Sequence, residues 1–170
     1  MKKLYFLDTW VLFLIFLAPY ITQNIADGQI PTLLFYVFSG AWFYKLTLDL
    51  HKRLPNGHEL NLQKFSFHFF FAAVYILVVL IFIGGYHITT RNIDEYGSSG
   101  PILFILHLFT MYCMFYCIYF SAKTLASVYY TEPNPQFSTY VGSFLSFWFL
   151  PFGIWFLQPK IKKIFGQKPA

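Results

Sequence analysis

The chain has 170 residues, of which 57% are hydrophobic, 24% aromatic and only 11% charged, against roughly 25% charged in an average soluble chain. A chain this short cannot bury so much apolar surface in a water-soluble core, because small domains leave much of their area exposed, so the composition predicts an all-α integral membrane protein. The formal net charge of +5 does not form a nucleic-acid-reading stripe: Lys and Arg flank apolar runs, which predicts contact with membrane lipids, anionic headgroups included, and no nucleic acid.

Five apolar segments are predicted in one membrane domain, at about residues 9–24, 31–50, 62–85, 101–123 and 139–158, followed by a basic interfacial tail at 159–170. Asp8 is placed to cap the first segment, Asp8 and the absence of a cleavage motif favour a retained span over a signal peptide, and Pro19 is expected to kink its end. Pro31 suits the first turn of the second helix, in which Lys45 and Asp49 are spaced to pair. Pro55 and Asn56-Gly57 break the chain. Asn61 can cap the third helix, which is expected to reach Gly84-Gly85. Residues 89–100 read as a loop, and a fourth helix opens at Pro101 and runs to about Tyr130, longer than a bilayer needs. "TEPNPQ" breaks the chain again, and Ser138 can cap the fifth segment.

That fifth segment contains "LPFG", residues 150–153. Lys and Arg mark the cytoplasmic ends of membrane helices. Lys2, Lys3, Lys45, Lys52, Arg53 and Lys64 fit an inside N-terminus and an inside second loop, while Lys160, Lys162, Lys163 and Lys168 crowd the C-terminal tail. Five full crossings would put that tail outside. The expected architecture is therefore four transmembrane helices plus a fifth Pro/Gly-broken segment, re-entrant or kinked, with both termini cytoplasmic. In the re-entrant form residues 144–150 descend and 154–157 return. Pro151 stops the first arm, and Gly153 permits backbone angles that a side chain would hinder. Beyond Pro159, Ile161, Ile164 and Phe165 share one face of an interfacial helix and the lysines the other.

The ending "FLPFGIWFLQPKIKKIF" resembles that of uncharacterised small bacterial four-helix membrane proteins with a Pro-x-Gly-[Ile/Val]-Trp…Gln-Pro-[Lys/Arg] signature. Here those positions are Pro151, Gly153, Ile154, Trp155, Gln158, Pro159 and Lys160. The resemblance covers about a tenth of the chain. It implies a bacterial four-helix membrane protein and carries no implication about chemistry.

Candidate chemistry is sparse. His107 is the deepest titratable group, roughly 9 Å inside the fourth helix at 1.5 Å per residue. His68 and His107 lie at depths too different for a shared haem. His107, Met111 and Met114 share a helical face, with Cys113 and Cys117 on the next one, a soft donor set that suits Cu(I) but also suits ordinary packing. Tyr112, Tyr116 and Tyr119 form one stripe, read as a packing or partner face. No nucleophile–base set and no paired intramembrane carboxylate is present in the sequence, which weighs against catalysis and against a monomeric ion-coupled transporter. The expected role is an accessory, scaffolding or assembly subunit of a bacterial cytoplasmic-membrane complex, without a cofactor, partnered by other membrane subunits or by copies of itself. A small oligomeric transporter or channel is the alternative, and a metal-binding protein using the His107 face the second alternative.

Overall fold

The computed structural model describes residues 8–22, 29–82 and 100–166. These form six helices and, among the described residues, no strand: α1 (Thr9–Thr22), α2 (Gln29–His51), α3 (Leu62–Phe82), α4 (Gly100–Tyr130), α5 (Phe137–Trp148) and α6 (Leu150–Gly166). They divide into two compact units. One contains the chain up to Leu62 and from Ile118 onward; the other contains Gln63–Cys117. The helix α4 contributes its N-terminal half to the second unit and its C-terminal half to the first.

Local chemistry sets the ends of these helices. The carboxylate of Asp8 accepts a hydrogen bond of 3.1 Å from the Trp10 N–H, as a helix N-cap should. The α1 helix continues through Pro19 to Thr22. The second helix closes ahead of a loop in which Gly57 takes a φ of +85°, the left-handed angle glycine tolerates. At the end of α4 the Glu132 N–H donates back to the Ser127 carbonyl, and Thr131 sits between them at φ +58°. This is a Schellman cap with a β-branched residue where glycine is usual. At the start of α5, Gln136 occupies the cap position without a side-chain hydrogen bond, so the helix starts one residue before Ser138, the expected cap.

The first unit is built on one apolar core. Leu12 and Phe16 of α1, Trp42, Leu46 and Leu50 of α2, Leu125 of α4, and Ile154, Leu157 and Ile161 of α6 are all buried in it. Phe16 meets Trp42 edge-on at 5.3 Å. The core also encloses polar groups that are bonded across or along helices: Thr47 Oγ1 and Ser121 Oγ share a hydrogen bond of 2.7 Å between α2 and α4. Such small hydroxyl residues hold apolar helices together without leaving a bare polar atom.

The segment that contains "LPFG" folds as a helical hairpin. The helices α5 and α6 are antiparallel neighbours, joined through Phe149 at φ −100°, ψ 50°. The arms are longer than the sequence suggested, and the bend lies ahead of Pro151 rather than at it. Pro151 sits in the first turn of α6, where its fixed φ and missing N–H fit. Gly153 is an ordinary helical residue, which overturns the expectation that it supplies unusual backbone angles. Its role is steric: a Cβ there would lie 1.8 Å from the Ser146 carbonyl oxygen. Nor does Pro159 end the helix, because α6 runs through it to Gly166. Its ring lies on the exposed side of α6, while Leu157, Gln158, Ile161 and Ile164 hold the opposite side in the core.

In the second unit α3 packs on the first half of α4. Phe71 meets Phe109 at 4.8 Å, and the Tyr75 hydroxyl donates to the Leu103 carbonyl at 3.4 Å. Among the described residues, α3 and α4 are the two helices long and apolar enough to cross a membrane, over Leu62–Val79 and Gly100–Tyr130. The α1 helix has 14 residues, short of the roughly 20 a span needs. The α2 helix has 23 residues but includes Lys45 and Asp49. Lys2, Lys3, Gly84-Gly85, His87, the loop with Arg91, and Lys168 lie outside the described residues.

Candidate functional site

The charged side chains of the first unit gather at one end, where α2 stops, α4 stops, and the open end of the α5–α6 hairpin returns. Three side chains tie that end together. The Arg53 guanidinium donates to the Ile164 carbonyl at 2.8 Å and lies 4.8 Å from the centre of the Phe165 ring. It thereby occupies a carbonyl of the last turn of α6, where a cation is favoured by the helix dipole. The Asn134 amide donates to the Gly57 carbonyl across the two loops at 3.4 Å. His51 stacks on Phe120 at 6.0 Å, meets His58 at 5.2 Å and donates through Nε2 to the Leu60 carbonyl.

Asp49 takes part in two ion pairs. Lys45 reaches it at 2.6 Å, as its i,i+4 spacing predicts, and Lys52 at 3.7 Å. The lysines of α6 behave differently. Lys160 Nζ donates to Ser143 Oγ of α5 at 3.1 Å and lies 5.8 Å from the centre of the Tyr129 ring. Lys163 Nζ approaches the same ring to 4.7 Å. As far as Gly166 the tail is thus a continuation of α6, with Ile161 and Ile164 in the core, Lys162 half-buried, and Lys160 and Lys163 gathered on one tyrosine.

The other candidate residues fall elsewhere. His107 lies 6.2 Å from Tyr75 in the second unit. On the same helix Cys113 and Cys117 are buried thiols, whereas Met111 and Met114 are 41% and 40% exposed. The thioethers and thiols therefore face different surroundings instead of converging. Among the described residues no three His, Cys, Asp or Glu side chains gather as a metal site would require. The tyrosine stripe divides as well. Tyr112 and Tyr116 pack around His68 at 5.7 and 4.3 Å, with the His68 Nδ1–H bonded to the Lys64 carbonyl at 2.7 Å. Tyr119 packs on Tyr140 of α5 at 5.7 Å, within the first unit.

Tyr129 and Ser143 were not candidates in the sequence. The only available signal was indirect: Tyr129 falls near the end of a fourth helix expected to be longer than a bilayer needs, and an aromatic ring there offers a face to nearby lysines. No protein-family model matches the chain, and no curated protein or solved structure matches it either.

Proposed function

We propose that this chain is a multi-pass protein of a bacterial cytoplasmic membrane and serves as an accessory, scaffolding or assembly subunit of a larger membrane complex. In this reading α1 to α4 cross the bilayer, and the α5–α6 hairpin enters from the basic, cytoplasmic side and returns to it. The observation that carries the reading is the outer surface of the hairpin. Phe149, Phe152 and Phe156 are 57%, 66% and 70% exposed, a continuous aromatic face that is costly in water and suited to lipid or to the helices of a neighbouring subunit. The buried polar groups support a structural role, since Thr47, Ser121 and Ser143 bond helix to helix and Ser127 closes the end of α4.

Two measurements test this. Cysteine labelling at Asn56, Ser98 and Gln167 in intact cells should reach Ser98 alone from outside; external labelling of Gln167 would mean that the last segment crosses. Native electrophoresis of mildly solubilised membranes should find the 20.0 kDa chain in fixed ratio with a second, different membrane protein whose assembly fails when this chain is deleted. Migration only with itself, together with solute flux through the purified chain in liposomes, would replace the accessory role with that of a small oligomeric transporter or channel. That second reading draws on one observation: Gln158, a polar side chain of α6, is fully buried.

A further inference from the structure

The two lysines gathered on Tyr129 are an electrostatic anomaly. Each ammonium lies within 5.8 Å of one ring centre, so the pair is held within about one Debye length, ~10 Å at 0.1 M salt. Among the described residues no carboxylate lies within 4.0 Å of either, because both ion pairs are made by Lys45 and Lys52 with Asp49. The negative end of α6 does not offset them, since Arg53 occupies the Ile164 carbonyl and adds a further positive charge. Like charges held together without a counter-charge favour an anion that can bridge them. Lys160 is not a freely waving lysine: it is half-buried and bonded to Ser143, and Tyr129, the ring it shares with the exposed Lys163, packs against the core.

We propose that Lys160, Lys163 and Tyr129 form a binding site for the phosphate group of an anionic phospholipid. A phosphodiester presents two anionic oxygens to the two ammonium groups, and the phenol hydroxyl is a third donor of suitable chemistry. The lipid, as opposed to free phosphate, follows from the rest of the helix face. Phe152, Phe156, Lys160 and Lys163 recur at i, i+4, i+8 and i+11, so they lie along one side of α6. Phe152 and Phe156 are among its most exposed side chains. A headgroup on the lysines would therefore lay an acyl chain along the two phenylalanines, with phosphate and hydrocarbon each meeting matching chemistry. This deepens the membrane reading above and rests on it.

The test uses the full chain in neutral detergent, where topology plays no part, so its failure leaves the labelling experiment untouched. Short-chain phosphatidylglycerol, phosphatidylcholine of equal chain length and inorganic phosphate are titrated separately, with bound molecules counted by native mass spectrometry. Phosphatidylglycerol should bind in preference. Lys160→Gln and Lys163→Gln should each weaken it about fivefold, and the pair about 25-fold, the equivalent of ~1 kcal/mol per lysine near a lipid phosphate. Lys160→Arg with Lys163→Arg should retain binding, which separates lost charge from lost fold, and Lys45→Gln should leave it unchanged. Phe152→Ser with Phe156→Ser should weaken the lipid alone. Equal binding of phosphatidylcholine, or indifference to both Gln substitutions, would overturn the site. Equally tight binding of inorganic phosphate with the same lysine dependence would overturn the lipid assignment in favour of a soluble phosphate.

Discussion

Replacing Gly153 with alanine adds one methyl group at the tightest point of the hairpin. The new Cβ would stand 1.8 Å from the Ser146 carbonyl oxygen, 2.5 Å from its carbonyl carbon and 2.6 Å from its Cα. All three are backbone atoms of α5, so no side-chain rotation relieves the clash. Ser146 cannot turn aside either, since its hydroxyl is folded back on the Gly142 carbonyl of its own helix at 2.7 Å. Ordinary contact begins at 3.4 Å, so the two helices must part by about 1.5 Å, the kind of overpacking that costs roughly 1–3 kcal/mol and sometimes more. The 1.8 Å approach places the cost at the upper end, about 3 kcal/mol, and alanine returns up to about 1 kcal/mol through helix propensity, which sets the expected net loss at about 2 kcal/mol. For a chain of this size that is a fall of about 4–8 °C in melting temperature. Parting the helices should also lengthen the Lys160–Ser143 hydrogen bond.

Gly142 supplies the control within the same hairpin. It is an exposed residue of α5, and a Cβ there meets nothing within 4 Å. Gly142→Ala should therefore raise stability by about 0.5–1 kcal/mol from backbone entropy alone. Thermal melting of both variants in one detergent, followed by far-ultraviolet circular dichroism, gives the comparison. Spin labels on Phe137 and Lys162 report the arm separation directly. If Gly153→Ala melts with Gly142→Ala, or if the arm separation does not change, the close-approach argument fails and the hairpin is held by something other than backbone contact at this point.

Two further outcomes are expected. Thr131→Gly should stabilise the chain by about 1 kcal/mol, because a β-branched residue at φ +58° carries a steric cost that glycine lacks; chemical or thermal denaturation measures it, and a loss would mean that the threonine side chain contributes more than its backbone angle costs. Thr47→Val should destabilise by about 1–3 kcal/mol by stranding the buried Ser121 hydroxyl, whereas adding Ser121→Ala should recover part of that loss; additive losses in this double-mutant cycle would show the two hydroxyls to be energetically independent.

The parts of this fold that were legible in the sequence are those set by neighbours along the chain. Asp8 as a cap, the Lys45–Asp49 pair and the break at Asn56-Gly57 depend on spacings of two to four residues, and those spacings are printed in the sequence. The hairpin was half legible. Pro and Gly in an apolar run signalled a break, but the assignment of roles went wrong because both residues were read for their own backbone angles. What matters at Gly153 is the atom standing opposite, Ser146 O, seven residues back and on another helix. The same limit applies at Tyr129: a lone tyrosine at a helix end becomes a meeting point only once α6 brings Lys160 and Lys163 over it. Met111 and Met114 were placed on one face of α4 and Cys113 and Cys117 on the next, and their side chains do partition between surface and interior, because one helix turns its faces apart.

The hairpin's dimensions bear on whether it could enter a bilayer without crossing it. The 12 residues of α5 rise about 18 Å and the 17 residues of α6 about 25 Å at 1.5 Å per residue, each less than the roughly 30 Å of a hydrocarbon core. Two such arms can reach past the midplane and come back. The usual objection to a turn at that depth is bare backbone, which lipid cannot solvate. Here the turn is one residue long and closed by two backbone hydrogen bonds. The Phe149 N–H donates to the Leu145 carbonyl at 2.9 Å, and the Phe149 carbonyl accepts from the Gly153 N–H at 2.7 Å. Pro151 contributes no N–H at all, which removes one of the donors that every helix start leaves over. Proline at this position therefore does something a leucine could not: it reduces the turn's remaining donors to those of Leu150 and Phe152. For a hairpin placed in a bilayer, the shielding that neighbouring helices must supply falls with each donor removed.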